Sequence, residues 1–247
     1  AGMMIEDRTR TYTIAMERTV VPENFSFRMT DEEYRVLEKI KNSIPVCYLA
    51  DHADFALGIV TGNNKKFLSA EKTENSEMVL KGTDICKYHI NPAKQYLRFE
   101  PEQFQQVAPL EIYRAPEKLL YRFISNQLVV AYDDRQMLSL NSCNIVIPKI
   151  EGMQIKYILA ILNSSVSQFV YQKEFHSIKV LRAHMEHIPI PRVGKAIQNE
   201  IIAMTEPLIC GMGKEAAETC QKRLDCRIMD LFRFSAEEQW IIRHALH

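Results

Sequence analysis

The apolar positions change period along this chain. Residues 119–124 and 127–132 are dense in apolar, β-branched and aromatic side chains, and Ser125-Asn126 interrupts them. Such runs, bounded by turn residues, predict two strands. Asp133-Asp134 breaks the pattern again before Ser139, and 143–147 forms a third run. From Ile155 the period turns helical. Ile155, Ile158, Leu159, Leu162 and Val166 fall on one face, which predicts one helix laid on a small sheet.

Residues 3–29 are mixed, with 12–16 readable as a strand or an arm. Thr30-Asp-Glu-Glu33 is a capping box opening a helix that runs through Tyr34, Leu37 and Ile40 to Asn42, and Pro45 stops it. Residues 55–60 and 67–70 predict a hairpin around Thr61-Gly62-Asn63-Asn64, since Gly and Asn tolerate positive φ. Residues 77–79, 87–89 and 96–99 alternate as further strands would. Leu80-Lys-Gly-Thr-Asp-Ile85 reads as a loop, and 101–109 as a proline-bounded connection.

Pro189-Ile-Pro191 ends this unit. Beyond it, Ile197, Ile201, Met204 and Leu208 form one seam, and Ala217, Cys220, Leu224, Ile228 and Leu231 another. Gly211 and Gly213 lie between them, which predicts an antiparallel helix pair. Ser235-Ala-Glu-Glu238 opens a last short helix with Trp240 and Ile241. The expected class is α+β: a small, mostly antiparallel sheet with packed helices, then a helical hairpin. The expected division is 1–45 as arm and helix, 46–193 as the central domain, and 194–247 as the helical end.

Composition adds little. Hydrophobic residues make up 47% and charged residues 25% of 247, and 31 basic residues balance 31 acidic ones. A globular fold with a sizeable core follows, and a strongly basic nucleic-acid binder does not. The distribution is less even: residues 114–192 hold ten Lys and Arg against six Asp and Glu. Six cysteines form no Cys-x-x-Cys pair, so reduced core thiols in a cytoplasmic chain are expected. No leader pattern and no long uncharged apolar run occurs, so no membrane partner is expected. His184 and His187 are three apart without a convergent acid or thiol, so no metal is expected.

The candidate binding residues are cationic and amide side chains. Asn63, Asn64, Lys65 and Lys66 would present a hairpin tip to nucleic acid; the plain alternative is a solvated turn. Lys81 beside Gly82 would let backbone amides approach a phosphate, or would be an ordinary turn. Arg114, Lys118 and Arg122 sit an even number of residues apart, so a strand would project all three from one face. Tyr113 and Tyr121 are nearby. In the competing reading, Glu111 and Glu117 pair with these cations on a solvated face. Arg135, and Lys173, His176, Lys179 and Arg182 in the polar stretch 172–185, complete the set.

Four pieces stand in a telling order: Gly58-Ile-Val-Thr-Gly62-Asn-Asn-Lys-Lys-Phe67, Leu80-Lys-Gly-Thr-Asp-Ile85, Pro116-Glu-Lys-Leu-Leu-Tyr-Arg122, and Ile161-Leu-Asn-Ser164 followed by Ile188-Pro-Ile-Pro191. Together, over roughly 47–193, they resemble the TaqI-like C-terminal specificity domain. That is the target recognition domain of adenine-specific DNA methyltransferases and of fused type II restriction–modification enzymes. The resemblance implies sequence-specific binding of duplex DNA, which would orient a methyltransferase catalytic domain over its target adenine. S-adenosylmethionine would belong to that domain, and no cofactor is expected here. This chain has no Pro-Pro; the nearest approach to the base-holding Asn/Asp-Pro-Pro-aromatic motif is Asn91-Pro-Ala-Lys94. No catalytic residue is therefore expected in the chain itself, although the parent protein could also cleave DNA. Two alternatives stay open. One is an assembly module of a restriction–modification or phage-defence complex. The other is a metal-dependent nuclease built on Asp134 and Gln154-Ile-Lys156, a pattern in which Gln is a poor ligand.

Overall fold

The computed structural model describes residues 29–175 and 177–245 in full, and the backbone of 2–6 and 11–15. In the N-terminal part, β1 (Gly2–Glu6) pairs antiparallel with β2 (Thr11–Ala15). Helix α1 (Asp31–Asn42) opens as its sequence dictates. Thr30 Oγ1 accepts from the Glu33 N–H at 3.2 Å, and Glu33 Oε2 accepts from the Thr30 N–H at 2.9 Å. Two orphan donors of the first turn are thus satisfied reciprocally. Val36, Leu37 and Ile40 turn inward.

The centre of the molecule follows in chain order: β3 (Val46–Cys47), β4 (Ala53–Ala56), the short α2 (Asn64–Phe67), β5 (Leu68–Ser69), β6 (Ser76–Leu80), β7 (Gln95–Arg98), the short α3 (Leu110–Tyr113), β8 (Lys118–Arg122), β9 (Val130–Asp133), β10 (Leu138–Ser139) and β11 (Cys143–Pro148). Two four-stranded sheets result. The first has the order β4-β11-β8-β9, antiparallel throughout, and the second the order β10-β6-β7-β5. The class is α+β, as the sequence predicts.

The first sheet divides two cores, which explains why its strands read as nearly unbroken apolar runs. Alternate residues leave its opposite faces. Leu119, Tyr121, Val130, Tyr132 and Val146 join a core shared with the helices, while Leu120, Ala131, Cys143 and Ile145 join one shared with the second sheet. Gly58 stands where the chain passes from one sheet to the other. A Cβ there would lie 2.1 Å from the Leu140 carbonyl oxygen, so glycine is required by close backbone approach.

The helix predicted over 155–166 is two helices. Helix α4 (Ile155–Asn163) stops at Ser164, which is extended and caps α5 (Ser165–Glu174) by accepting from the Ser167 N–H at 3.2 Å. The break serves the edge of the first sheet. Asn163 donates to the Val130 carbonyl at 2.9 Å and accepts from the Val130 N–H at 3.1 Å. Gln168 does the same to Leu128, at 2.9 and 2.8 Å. Two buried amide side chains thereby complete an edge that Tyr88 covers only in part, its N–H donating to the Val130 carbonyl at 2.7 Å and its carbonyl accepting from the Tyr132 N–H at 3.2 Å.

After α6 (Arg182–Glu186), β12 (Ile190–Pro191) pairs with β3. Helices α7 (Lys195–Cys210), α8 (Lys214–Leu231) and α9 (Ala236–His244) complete the chain. Gly211 makes the first turn of this end with φ +78°. The seams fall where the spacing puts them, and they are buried against the centre rather than only against each other. Ile201, Leu208, Leu224 and Ile228 share one core with Tyr157, Leu159 and Phe169. Gln198 adds a polar tie, accepting from the Gln154 N–H and donating to the Gly152 carbonyl, both at 2.9 Å.

Further local expectations are overturned. Residues 87–89 form no strand, and Tyr88 makes only an isolated bridge to Ala131. Residues 55–60 and 67–70 do not form a hairpin, since β4 pairs with β11 and β5 with β7. Arg114 is not on a strand with Lys118 and Arg122, because it follows α3. The turn between β8 and β9 is wider than Ser125-Asn126. All six cysteines are unpaired, but only Cys47 and Cys143 are buried. No helix among the described residues is long and apolar enough to cross a membrane.

Candidate functional site

The turn 61–66 is built locally. Gly62 takes φ +73°, and Asn63 then caps α2 by accepting from the Lys66 N–H at 3.2 Å. The buried Thr61 hydroxyl donates to Asn64 Oδ1 at 2.6 Å. Asn63, Asn64, Lys65 and Lys66 remain exposed. The segment predicted to be a mere connection lies against them. Val60 and Gln106 exchange backbone hydrogen bonds at 2.8 and 3.1 Å. Phe104 anchors the segment edge-on to Phe67, with centroids 5.2 Å apart. Lys66 Nζ donates to Gln103 Oε1 at 2.6 Å.

Gln103, Gln105 and Gln106 are exposed, so one ridge carries two lysines and five side-chain amides. Sequence reasoning missed the three glutamines. Their signal was Gln103-Phe-Gln-Gln106, amides flanking an aromatic anchor.

Gln106 leads into a groove of about 660 Å³, whose wall includes Phe55, Leu57, Val107, Ile112, Tyr121 and Arg182. Arg182 stands over the Phe55 ring, 5.2 Å from its centroid, and pairs with Glu186 at 2.7 Å. Burial pushes the Tyr121 hydroxyl up to about 12, so it stays protonated. A groove with apolar walls and a few polar groups at its margin suits a partner that inserts part of itself.

The remaining expected residues scatter. Lys118 is fully buried; it pairs with Asp133 and donates to the Tyr113 carbonyl at 2.6 Å. Asp133 also accepts from the N–H groups of Arg135 and Met137, at 3.0 and 2.9 Å. Desolvation pulls the Lys118 pKa down, and Asp133 opposes that shift. Lys173 is likewise buried and bonded to Glu33 at 2.8 Å. Neither lysine projects to an outside partner, contrary to the sequence-based expectation. Asp133 and Glu33 hold them inside.

Arg114 makes a two-pronged contact with Glu77 at 2.6 and 2.7 Å and donates to the Gln136 carbonyl at 2.7 Å. Arg122 is half-buried and donates to the Ile85 carbonyl. The amides near Lys81 are already engaged. The Lys81 N–H bonds Asp84 Oδ2 at 2.8 Å, and the Gly82 N–H bonds Ser142 Oγ at 3.0 Å. The phosphate-cradle expectation therefore fails there. Arg135 is exposed. Lys179 is exposed too, over the Phe123 ring at 5.9 Å. His176 lies outside the described residues. Among the described residues, no three His, Cys, Asp or Glu side chains gather as a metal site.

Residues 77–190 match the TaqI-like C-terminal specificity domain. The matched segment contains Gln103–Gln106, the groove's Ile112 and Tyr121, and Arg182, while Asn63–Lys66 precede it. The fold of the chain is similar to that in a structure of the type IIL restriction–modification enzyme MmeI in complex with DNA. There the TM-score is 0.52 at 11% identity, over 81% of this chain and 36% of that one. The HsdS subunit from Thermoanaerobacter tengcongensis gives 0.43 at 15% identity, over 87% of this chain and 50% of that one. The chain thus spans half of one and about a third of the other. No curated protein matches it in sequence.

Proposed function

We propose that this chain is the DNA target-recognition module of a restriction–modification system. The observation that carries the reading is the specificity-domain match on a fold whose exposed ridge gathers lysines and amides. Lys65, Lys66 and Arg182 would neutralise phosphates and set the register. Asn64, Gln105 and Gln106 would meet base edges in the major groove, where amide side chains suit adenine.

The finer proposal is that the module serves an adenine-specific DNA methyltransferase of type II. Its catalytic domain lies outside this sequence and would bring S-adenosylmethionine and the methyl-transfer step. Base flipping would fall to that domain, with the module holding the duplex.

The test is binding to a random duplex pool at two salt concentrations, followed by selection. The expected outcome is a recovered consensus and an affinity that falls steeply with salt. Equal affinity for every duplex would sink the reading.

A further inference from the structure

A second cavity, of about 650 Å³, lies where α5, α8 and α9 meet the loops carrying Lys87 and Gln127. Lys87, Lys222 and Arg243 line it against a single carboxylate, Asp225. None of the three cations forms an ion pair among the described residues. Lys87 reaches only the Asn163 carbonyl, at a long 3.4 Å, and burial pulls its pKa down. Arg243 touches Cys226 Sγ at 3.5 Å, Met229 Sδ at 3.7 Å and Gln239 Oε1 at 3.2 Å. Lys222 makes no hydrogen bond among the described residues.

Asp225 is committed elsewhere. Its Oδ1 accepts from the Ser165 N–H at 2.9 Å, in the first turn of α5. Burial pushes its pKa up, while its hydrogen bonds to Ser165 and the nearby Lys87 and Arg243 oppose that shift. Gln168, also on the wall, is locked to Leu128. The side chains of Gln127 and Gln172 make no hydrogen bond among the described residues.

Concave sites of roughly 300–1,000 Å³ are of a size to take a small molecule. With Asp225 ionised, the wall carries an excess of two positive charges. A phosphate monoester carries about −1.5 to −2 at neutral pH and offers three acceptor oxygens. Lys87 is partly buried with no carboxylate bonded to it, and a matching anion would offset the cost of burying that charge.

We propose that this cavity binds a phosphate monoester of nucleotide size, with Lys87, Lys222 and Arg243 on the phosphate and Gln127 and Gln172 against the rest of the molecule. The monoester is either a free nucleotide or the 5′-phosphate end of a DNA strand. The assignment does not rest on the reading of the amide ridge.

The experiment titrates the 247-residue chain calorimetrically with inorganic phosphate, adenosine 5′-monophosphate and adenosine. It then uses a short duplex with and without a 5′-phosphate. The monophosphate should saturate, inorganic phosphate should compete with it, and adenosine should bind at least about tenfold more weakly. Lys222→Glu, and Lys222→Ala combined with Arg243→Gln, should each weaken the monophosphate by about tenfold or more. Their melting without ligand should stay near wild type, because both side chains are exposed.

A duplex gain from the 5′-phosphate that vanishes in the variants names the DNA end as the source. Monophosphate binding without that gain names the free nucleotide. Adenosine binding as well as its monophosphate, unchanged binding by the folded variants, or no saturable binding would each overturn the proposal.

Discussion

Lys118 and Lys65 carry the same ammonium group into opposite situations. Lys118 lies inside the first sheet, where the register sets it opposite Asp133 and where a carbonyl and two backbone N–H groups complete the network. Lys65 lies on the ridge, exposed and among amides. In one region charge is closed off and becomes part of the fold. In the other it stays open and available. What separates them is whether a fixed acid sits across the strand, because an ammonium enters a dry interior only with such a partner. Basic residues therefore mark an interface only after their acidic neighbours have been placed.

The largest effect should come from breaking the closed region. Lys118→Met leaves Asp133 buried beside apolar side chains, and the expected loss is about 3–5 kcal/mol. Combining it with Asp133→Asn should recover part of that, since an amide oxygen still accepts from one of the two N–H groups. Urea unfolding measures both. A single variant with an unchanged midpoint would contradict the closed network.

That pair also shows where the sequence stops being legible. The capping boxes at Thr30 and Ser235 are local, four residues each, and both form as read. The seams of α7 and α8 are local too. Lys118 facing Asp133 depends on pairing across fifteen positions, and Asp133 read more naturally as a turn residue than as the last residue of β9. The split of 155–166 is nonlocal for the same reason: Asn163 leaves the helical pattern to serve Val130. The ridge was half legible. Asn63–Lys66 stood out by composition, but Gln103–Gln106 joins them through nonlocal contacts, those of Phe104 with Phe67, of Gln106 with Val60 and of Gln103 with Lys66.

On the open region the expected effects are smaller and appear in binding. Gln105→Ala should leave stability within about 0.5 kcal/mol and cost about 1–3 kcal/mol of discrimination at one base pair. The measurement is affinity for the selected site against its single-base variants. Loss of affinity for all sites alike would move Gln105 from reading to positioning. Lys65→Ala should weaken binding uniformly and lower the salt slope by about one. A slope equal to that of wild type, with affinity unchanged, would remove Lys65 from the interface.

The smallest effect tests the border between the two regions, at α6. Arg182 faces the groove, while His184, two residues on, faces inward. His184 stacks on Phe175 with centroids 4.5 Å apart, and its Nδ1 accepts from the Leu181 N–H at 3.2 Å. Burial pulls its pKa below 6.5, and His187 adds to the shift, while a hydrogen bond with the Lys179 backbone opposes it. Between the folded value and 6.5 the unfolded chain binds the proton more readily, so stability falls as the pH drops through that window. Protonating Nδ1 would also take the acceptor from the Leu181 N–H. Mild acid should therefore loosen the segment that carries Lys179 and Arg182 before it disturbs the core. Amide exchange at Leu181, corrected for intrinsic rate, should rise between about pH 7.5 and pH 5.5. His184→Gln should flatten that dependence, since an amide accepts at any pH in the range. An equal rise in the Gln variant would show that the loosening starts elsewhere and that α6 holds the groove without its histidine.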